Sequence, residues 1–240
     1  IADWIIAGQN IDFNLIQDLF SIDILRFDLN LFNCIDNNSP DQAVIKHLQN
    51  KNDDFGLKEA KLLSSIREIL TTNKLDGIAI NCFDLIQNFN VSSCLPFAIL
   101  NSENTPAICE ADVCSAVAIV IANRLLNQIP WMANIIHADR QFASFAHCTV
   151  PLNFADNVKL DNHFESGKSV AVKAILRKEK ITIFRIDANL ENCYIALGDI
   201  VETNISDDFT CRTSIKVKMA PKSLFMLREF PLGNHHLILY

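Results

Sequence analysis

The chain is poor in glycine, in paired cysteines, in long apolar runs and in clustered basic residues, and each shortage removes a class of protein. Only 6 of its 240 residues are glycine. Turns must therefore draw on asparagine and aspartate, the other residues that enter left-handed backbone conformations. The 8 cysteines stand singly at 34, 82, 94, 109, 114, 148, 193 and 211. No CxxC pair occurs among them, so the spacing of a zinc ribbon or finger is missing, and settings such as Ala107-Ile108-Cys109 indicate buried, reduced thiols. No apolar run reaches the roughly 18 to 20 residues that cross a bilayer. The longest, Val113 to Ala122, contains Ser115 and runs into Asn123 and Arg124, which fits a buried helix. A net charge of −7 argues against a nucleic-acid partner, whose binding rests on clustered Lys and Arg. The opening Ile1-Ala2-Asp3-Trp4 has neither an initiator Met nor a basic n-region, so we expect a cytoplasmic protein with no membrane partner.

What is present is a hydrophobic half, 50% of residues, against 20% charged, enough for one large or two modest globular domains. We expect two, an α/β domain over 1–129 and a β-rich domain over 130–240. In the first, short β-rich runs alternate with helical patterns, the signature of layers around a mainly parallel, Rossmann-like sheet. Trp4–Ala7, Asp23–Phe27 and Gly77–Ile80 read as strands; Phe13–Phe20, Glu59–Thr71 and Asp112–Asn127 read as helices. After Pro130 the strand-like segments Trp131–Ile136, Phe142–Val150, Ser169–Leu176, Ile181–Ile186, Tyr194–Glu202 and Arg212–Lys218 follow one another with only turns between them. This predicts an antiparallel, barrel-like sheet. Ser223–Phe230 reads as a helix and His236–Tyr240 as a closing strand.

Four places carry chemistry. Cys109-Glu110-Ala111-Asp112 puts two acids at a strand-to-helix junction, where α/β sheets present ligand groups. Asp112 has a structural role there as a helix N-cap, whereas Glu110 does not. His147, in Ala146-His147-Cys148-Thr149, can ligate a metal, hold a substrate hydroxyl or sit hydrogen-bonded in a core. His235-His236 lies on a strand, so the two rings face opposite sides and at most one faces a given site. Ser166-Gly167-Lys168-Ser169 imitates a phosphate loop, but it lacks the earlier glycine, the preceding strand and the following helix, and is rejected as one. Imidazole and carboxylate together, without paired thiolates, favour Mn²⁺ or Mg²⁺ over a structural Zn²⁺.

In order along the chain, Ile108-Cys109-Glu110-Ala111-Asp112, Ile129-Pro130-Trp131-Met132-Ala133-Asn134, Ala146-His147-Cys148-Thr149 and Gly233-Asn234-His235-His236 resemble the L-fucose isomerase family. The resemblance covers roughly residues 75 to 240. It implies a metal-dependent aldose-ketose isomerase working on a monosaccharide through an enediol, with Mn²⁺ held by a Glu, an Asp and a His. Carried over, Glu110 is the metal-binding Glu and candidate base, and His235 or His236 the imidazole ligand. Asn134 stands where the family has its Asp. His147 and Thr149 are expected beside the sugar. Two departures qualify the expectation. Asn134 can coordinate through its amide oxygen but cannot move a proton, and the family's first domain is missing, so an impaired sugar-binding relative or a fragment is the alternative. By the same analogy we expect a homo-oligomer, a trimer or a hexamer. Arg212, His163 and Glu165 also resemble family positions without an assigned role.

Overall fold

A computed structural model describes residues 12–48, 56–205 and 210–240. The strand expected at 4–7 lies outside them.

The helical layer begins with α1 (Phe13–Phe20), capped by Asp12, whose carboxylate accepts from the Asn14 and Leu15 amides. The run 23–27 is not a strand: it has no sheet partner among the described residues, and Leu25 and Phe27 lie exposed. A 3-10 stretch over Leu29–Asn37 follows, then α2 (Gln42–Leu48) and α3 (Leu57–Thr72). Strand β1 (Ile78–Ala79) precedes α4 (Cys82–Phe89) and α5 (Cys94–Ser102), and β2 (Ala107–Ile108) leads into α6 (Val113–Leu126). The expected parallel sheet is reduced to one pair, β1 with β2, in the register Ile78 to Ala107 and Ala79 to Ile108. Helices supply the rest of this half among the described residues.

The antiparallel, barrel-like expectation holds for six strands, while the strand expected at 169–176 falls outside the barrel. Strands β3 (Trp131–Ala138), β4 (Phe142–His147), β7 (Lys180–Ile186), β8 (Cys193–Thr203), β9 (Thr213–Met219) and β10 (His235–Leu239) close into a barrel in the order β10-β3-β4-β9-β8-β7. Closure removes the free edges that an open sheet exposes. The alternation of buried and exposed residues along β8 is the period-2 pattern of a sheet with one face inward. Strands β5 (Ala155–Asn162) and β6 (Val170–Leu176) form a separate antiparallel ribbon. Helix α7 (Pro221–Glu229), with proline in its first turn, lies between β9 and β10.

Helix α6 packs against β7 and β10. Its placement follows from sequence. Asp112 caps its start and Asn127, in the left-handed conformation, ends it. Between these caps the buried Cys114, Val117, Ala118, Ile119 and Ala122 give the helix an apolar face to lay on the barrel. That contact brings the 109–112 turn to the end of the barrel where β10 begins. One hydrophobic cluster runs through both halves, including Leu63, Ile108 and Ile119 beside Trp131, Ile183 and Leu237.

Candidate metal and sugar site

Glu110 and Ala111 are consecutive non-glycine residues with positive φ, 60° and 49°. Such conformations cost about 1 to 3 kcal/mol each and persist where surrounding structure holds them. Here the Ala111 amide donates to Ile80 O at 3.1 Å and the Asp112 amide to Cys109 O at 3.3 Å. The turn drives the Glu110 carboxylate toward His147 and His235. One oxygen lies 3.4 Å from His147 Nε2 and the other 3.4 Å from His235 Nε2. Ligand atoms of Glu110, His147 and His235 all fall within 4.8 Å of one another, and all three residues are buried.

Asp112 organises the site from behind. Its Oδ1 caps α6 through the Ser115 amide, and its Oδ2 receives the Ser115 hydroxyl at 2.7 Å, Arg185 at 3.2 Å and His235 Nδ1 at 2.8 Å. Burial opposes ionising Asp112, but the hydrogen bond and charge of His235, and then the charge of Arg185, hold its carboxyl below the ordinary range. Asp112 is therefore an acceptor, and His235 Nδ1 carries the proton. This fixes the tautomer of the imidazole as a carboxylate behind a metal-binding histidine does. His235 Nε2 is buried and has no hydrogen-bond partner, since its approach to Glu110 lacks hydrogen-bond geometry.

The same logic gives His147 a different part. The Thr149 amide donates to His147 Nδ1 at 3.2 Å, so the neutral ring keeps its proton on Nε2, aimed at Glu110. With both rings neutral, His147 is a donor toward Glu110 while His235 turns a lone pair to it. Burial pushes Glu110 toward the neutral acid, yet His147 and His235, each close to one of its oxygens, outweigh it, and its carboxyl falls below the usual range. Burial also pushes His235 down, but Asp112 and Glu110 prevail and raise it to about 9. The group that relieves this cluster is a cation, in the form of a proton or a metal ion.

The remaining expected residues fall as follows. His236 points to the opposite face of β10 and lies against Phe145 and Tyr194, ring centroids 6.0 and 5.8 Å away. Burial depresses it to about 4. Of the two adjacent histidines, His235 is the one beside Glu110. Asn134 stands opposite His235 in the β3–β10 register, half-buried, with its amide oxygen accepting from Asn234. Thr149 is buried and its hydroxyl is 3.1 Å from the Cys109 thiol, so it braces the turn as well as His147. Two residues were not anticipated. Asp112 was expected only as a cap, and Arg185, which also donates to Ser115 Oγ and His235 O at 3.1 and 3.0 Å, was read as part of an ordinary strand. The signal for Arg185 was available: it shares the buried face of β7 with Ile181 and Ile183, and a charge on such a face needs a partner.

No family model matches the chain. It is similar to the sulfoquinovose isomerases of Priestia aryabhattai and Priestia megaterium, each 21% identical over 188 residues, 75% of this chain and 42% of theirs. The sulfoquinovose isomerase of Alkalicoccus urumqiensis is 26% identical over 103 residues, 41% of this chain and 23% of that protein. The chain thus spans less than half the length of these curated relatives. They are sugar isomerases by name, and the homology is distant. Among the described residues, no helix is long and apolar enough to cross a membrane.

Proposed function

We propose that this chain carries the metal- and substrate-holding portion of a sugar isomerase of the L-fucose isomerase type, which interconverts an aldose and a ketose through an enediol. The observation that carries the reading is the pairing of Glu110 with a buried, unpartnered His235 Nε2 whose tautomer Asp112 fixes. Distant similarity to sulfoquinovose isomerases supports it. Glu110 and His235 fit a divalent cation, Mn²⁺ or Mg²⁺, by donor type, with the Asn134 amide oxygen as a neutral third donor. Bound there, the ion supplies positive charge that stabilises the enediolate as it develops.

The chain's own groups then divide the work. Isomerisation takes a proton from C2 of the aldose and returns it to C1, so a carboxylate must stand within reach of both carbons. Glu110, ionised and buried, is that group. His147 Nε2–H donates to a sugar oxygen and is held for this by the Thr149 amide. Asp112 and Arg185 position His235 and do not touch the sugar. The substrate is a monosaccharide, and sulfoquinovose and L-fucose are the first two to try.

One observation favours a second reading, a sugar-binding relative with impaired turnover: Asn134 is uncharged and already paired with Asn234. The deciding experiment assays aldose-to-ketose conversion of both sugars with added Mn²⁺, beside sugar-dependent thermal shifts. Conversion that disappears in Glu110→Gln supports the isomerase. A thermal shift without conversion supports the binding relative, and neither response rejects both.

A further inference from the structure

A second ligand cluster lies on the ribbon side of the barrel, made of residues that the isomerase reading leaves unused. Cys94 opens α5, Cys148 follows β4, His163 follows β5 and Cys211 precedes β9. The ligand atoms of Cys94, Cys148 and His163 fall within 4.8 Å of one another, and so do those of Cys148, Glu165 and Cys211, so that Cys148 joins two triads. All three thiols are free. Zinc–sulfur bonds of about 2.3 Å place the sulfurs of a tetrahedral site about 3.8 Å apart. Within each triad the 4.8 Å limit asks for only a small closing movement, and the half-buried Cys211, which shares a triad with Cys148 alone among the other three ligands, must swing further to join them.

Buried free cysteines are common and often inert. The imidazole sets this group apart. The Ser166 hydroxyl donates to Lys168 O at 3.2 Å and receives the Lys168 amide at 3.2 Å, so toward His163 Nδ1, 3.1 Å away, it is an acceptor. In the tautomer with its proton on Nδ1, His163 turns its Nε2 lone pair toward the Glu165 carboxylate at 3.3 Å, and a cation beside these two acceptors relieves the contact. The turn that presents His163 is also pinned in place: its amide donates to Ser169 O at 3.3 Å, the Gly167 amide to His163 O at 2.8 Å, and the Val170 amide to the buried Glu59 carboxylate at 3.1 Å. His163 itself is buried against Phe83, while Glu165 and Cys211 leave a way in from solvent.

We propose that Cys94, Cys148, Cys211 and His163 hold a structural Zn²⁺, or another borderline to soft divalent cation, separate from the sugar site. Three sulfurs and one nitrogen make a closed tetrahedral set of the Cys₃His kind, which suits zinc and disfavours Mn²⁺ or Mg²⁺. The Ser166 hydroxyl, on Nδ1, orients His163, and Glu165, 3.3 Å from Nε2, adds negative charge beside the site. The site escapes sequence inspection because its four ligands come from four separate segments and none is paired.

The test uses the full chain, stripped with a chelator, kept under a phosphine reductant and titrated with Co²⁺ and then Zn²⁺. One equivalent of Co²⁺ is expected to produce the intense sulfur-to-cobalt charge-transfer absorption of a thiolate site, and Zn²⁺ to abolish it by displacement. Cys148→Ser should remove the band, whereas Glu110→Ala, at the other cluster, should keep it. Cys211 is only half-buried, so Cys211→Ser guards against loss of folding in the first variant. It should fold with unchanged circular dichroism, show a weaker and shifted band, and bind Zn²⁺ at least tenfold less tightly. A wild-type chain without the charge-transfer band overturns the proposal, as does a band unchanged in folded Cys211→Ser and Cys148→Ser.

Discussion

Gly233→Ala is the sharpest test of how the candidate sugar site is supported. Gly233 has φ of +148°, a region that side chains avoid, and a Cβ there would lie 2.4 Å from Arg185 Nη2, 2.7 Å from Cζ and 2.9 Å from Nε. The guanidinium cannot withdraw without leaving Asp112, Ser115 and the His235 carbonyl. The substitution therefore does more than strain a turn: it separates a buried ion pair whose members are both almost completely covered. Breaking such a pair costs about 3 to 5 kcal/mol. At about 2 to 4 °C per kcal/mol for a chain of this size, Tm falls by about 6 to 20 °C. Gly167→Ala is the control, because Gly167 also has positive φ (63°) but no atom within 4 Å of its Cβ, so only left-handed strain of about 1 to 2 kcal/mol applies. Urea denaturation of wild type and both variants in chelator measures the difference. If Gly233→Ala loses no more stability than Gly167→Ala, the argument that Gly233 exists to admit Arg185 is refuted.

Three further outcomes follow from the same geometry. Asp112→Asn, which removes the charge behind His235 and allows the wrong tautomer, should weaken Mn²⁺ binding by about 10- to 100-fold in isothermal titration, and unchanged affinity would remove Asp112 from its positioning role. In the metal-free chain His235 has its pKa raised from 6.5 to about 9, so the stability it confers is present below 6.5 and is lost as pH rises through about 9. Glu110 and Asp112, both depressed, confer stability that is lost only in acid. The stability difference between wild type and His235→Gln should therefore shrink as pH passes about 9, and a constant difference would contradict the assignment. Finally, Asn134→Asp restores a carboxylate opposite His235 and, if proton transfer limits turnover, should raise kcat by about 10²- to 10⁴-fold. Equal rates in a steady-state assay would show that Glu110 suffices.

The β half of this fold was legible because its strands are short β-rich runs without long helices between them, and β7 and β8 alternate in burial. The exception is β5, Ala-Asp-Asn-Val-Lys-Leu-Asp-Asn, whose partner covers it on one side only and whose composition is therefore too polar to announce a strand. The helical half misled for the opposite reason. Asp23 to Phe27 is β-rich like a strand, but a strand also needs a partner, and pairing is not a local property. Glu110 and the His235-His236 pair could be singled out by chemistry and by family-like motifs, and the opposite-face rule admits only one of the two histidines to a site without saying which. Spacing marks Arg185 as a charge on a buried strand face, but neither its partners nor the thiol cluster could be found that way, since each meets its partners only after distant segments pack. Asp112 shows how one role conceals another: a carboxylate has two oxygens, and capping α6 occupied one while the other held His235.

Asp112 and His235 lie 123 residues apart, and between them all the barrel strands but β10 must be made. On the ribosome, the acidic turn emerges early and remains an unpaired pair of carboxylates until β10 slides between β3 and β7. The Asp112–His235 contact can therefore form only once that last seam is sewn, so its presence reports complete closure of the barrel rather than local folding.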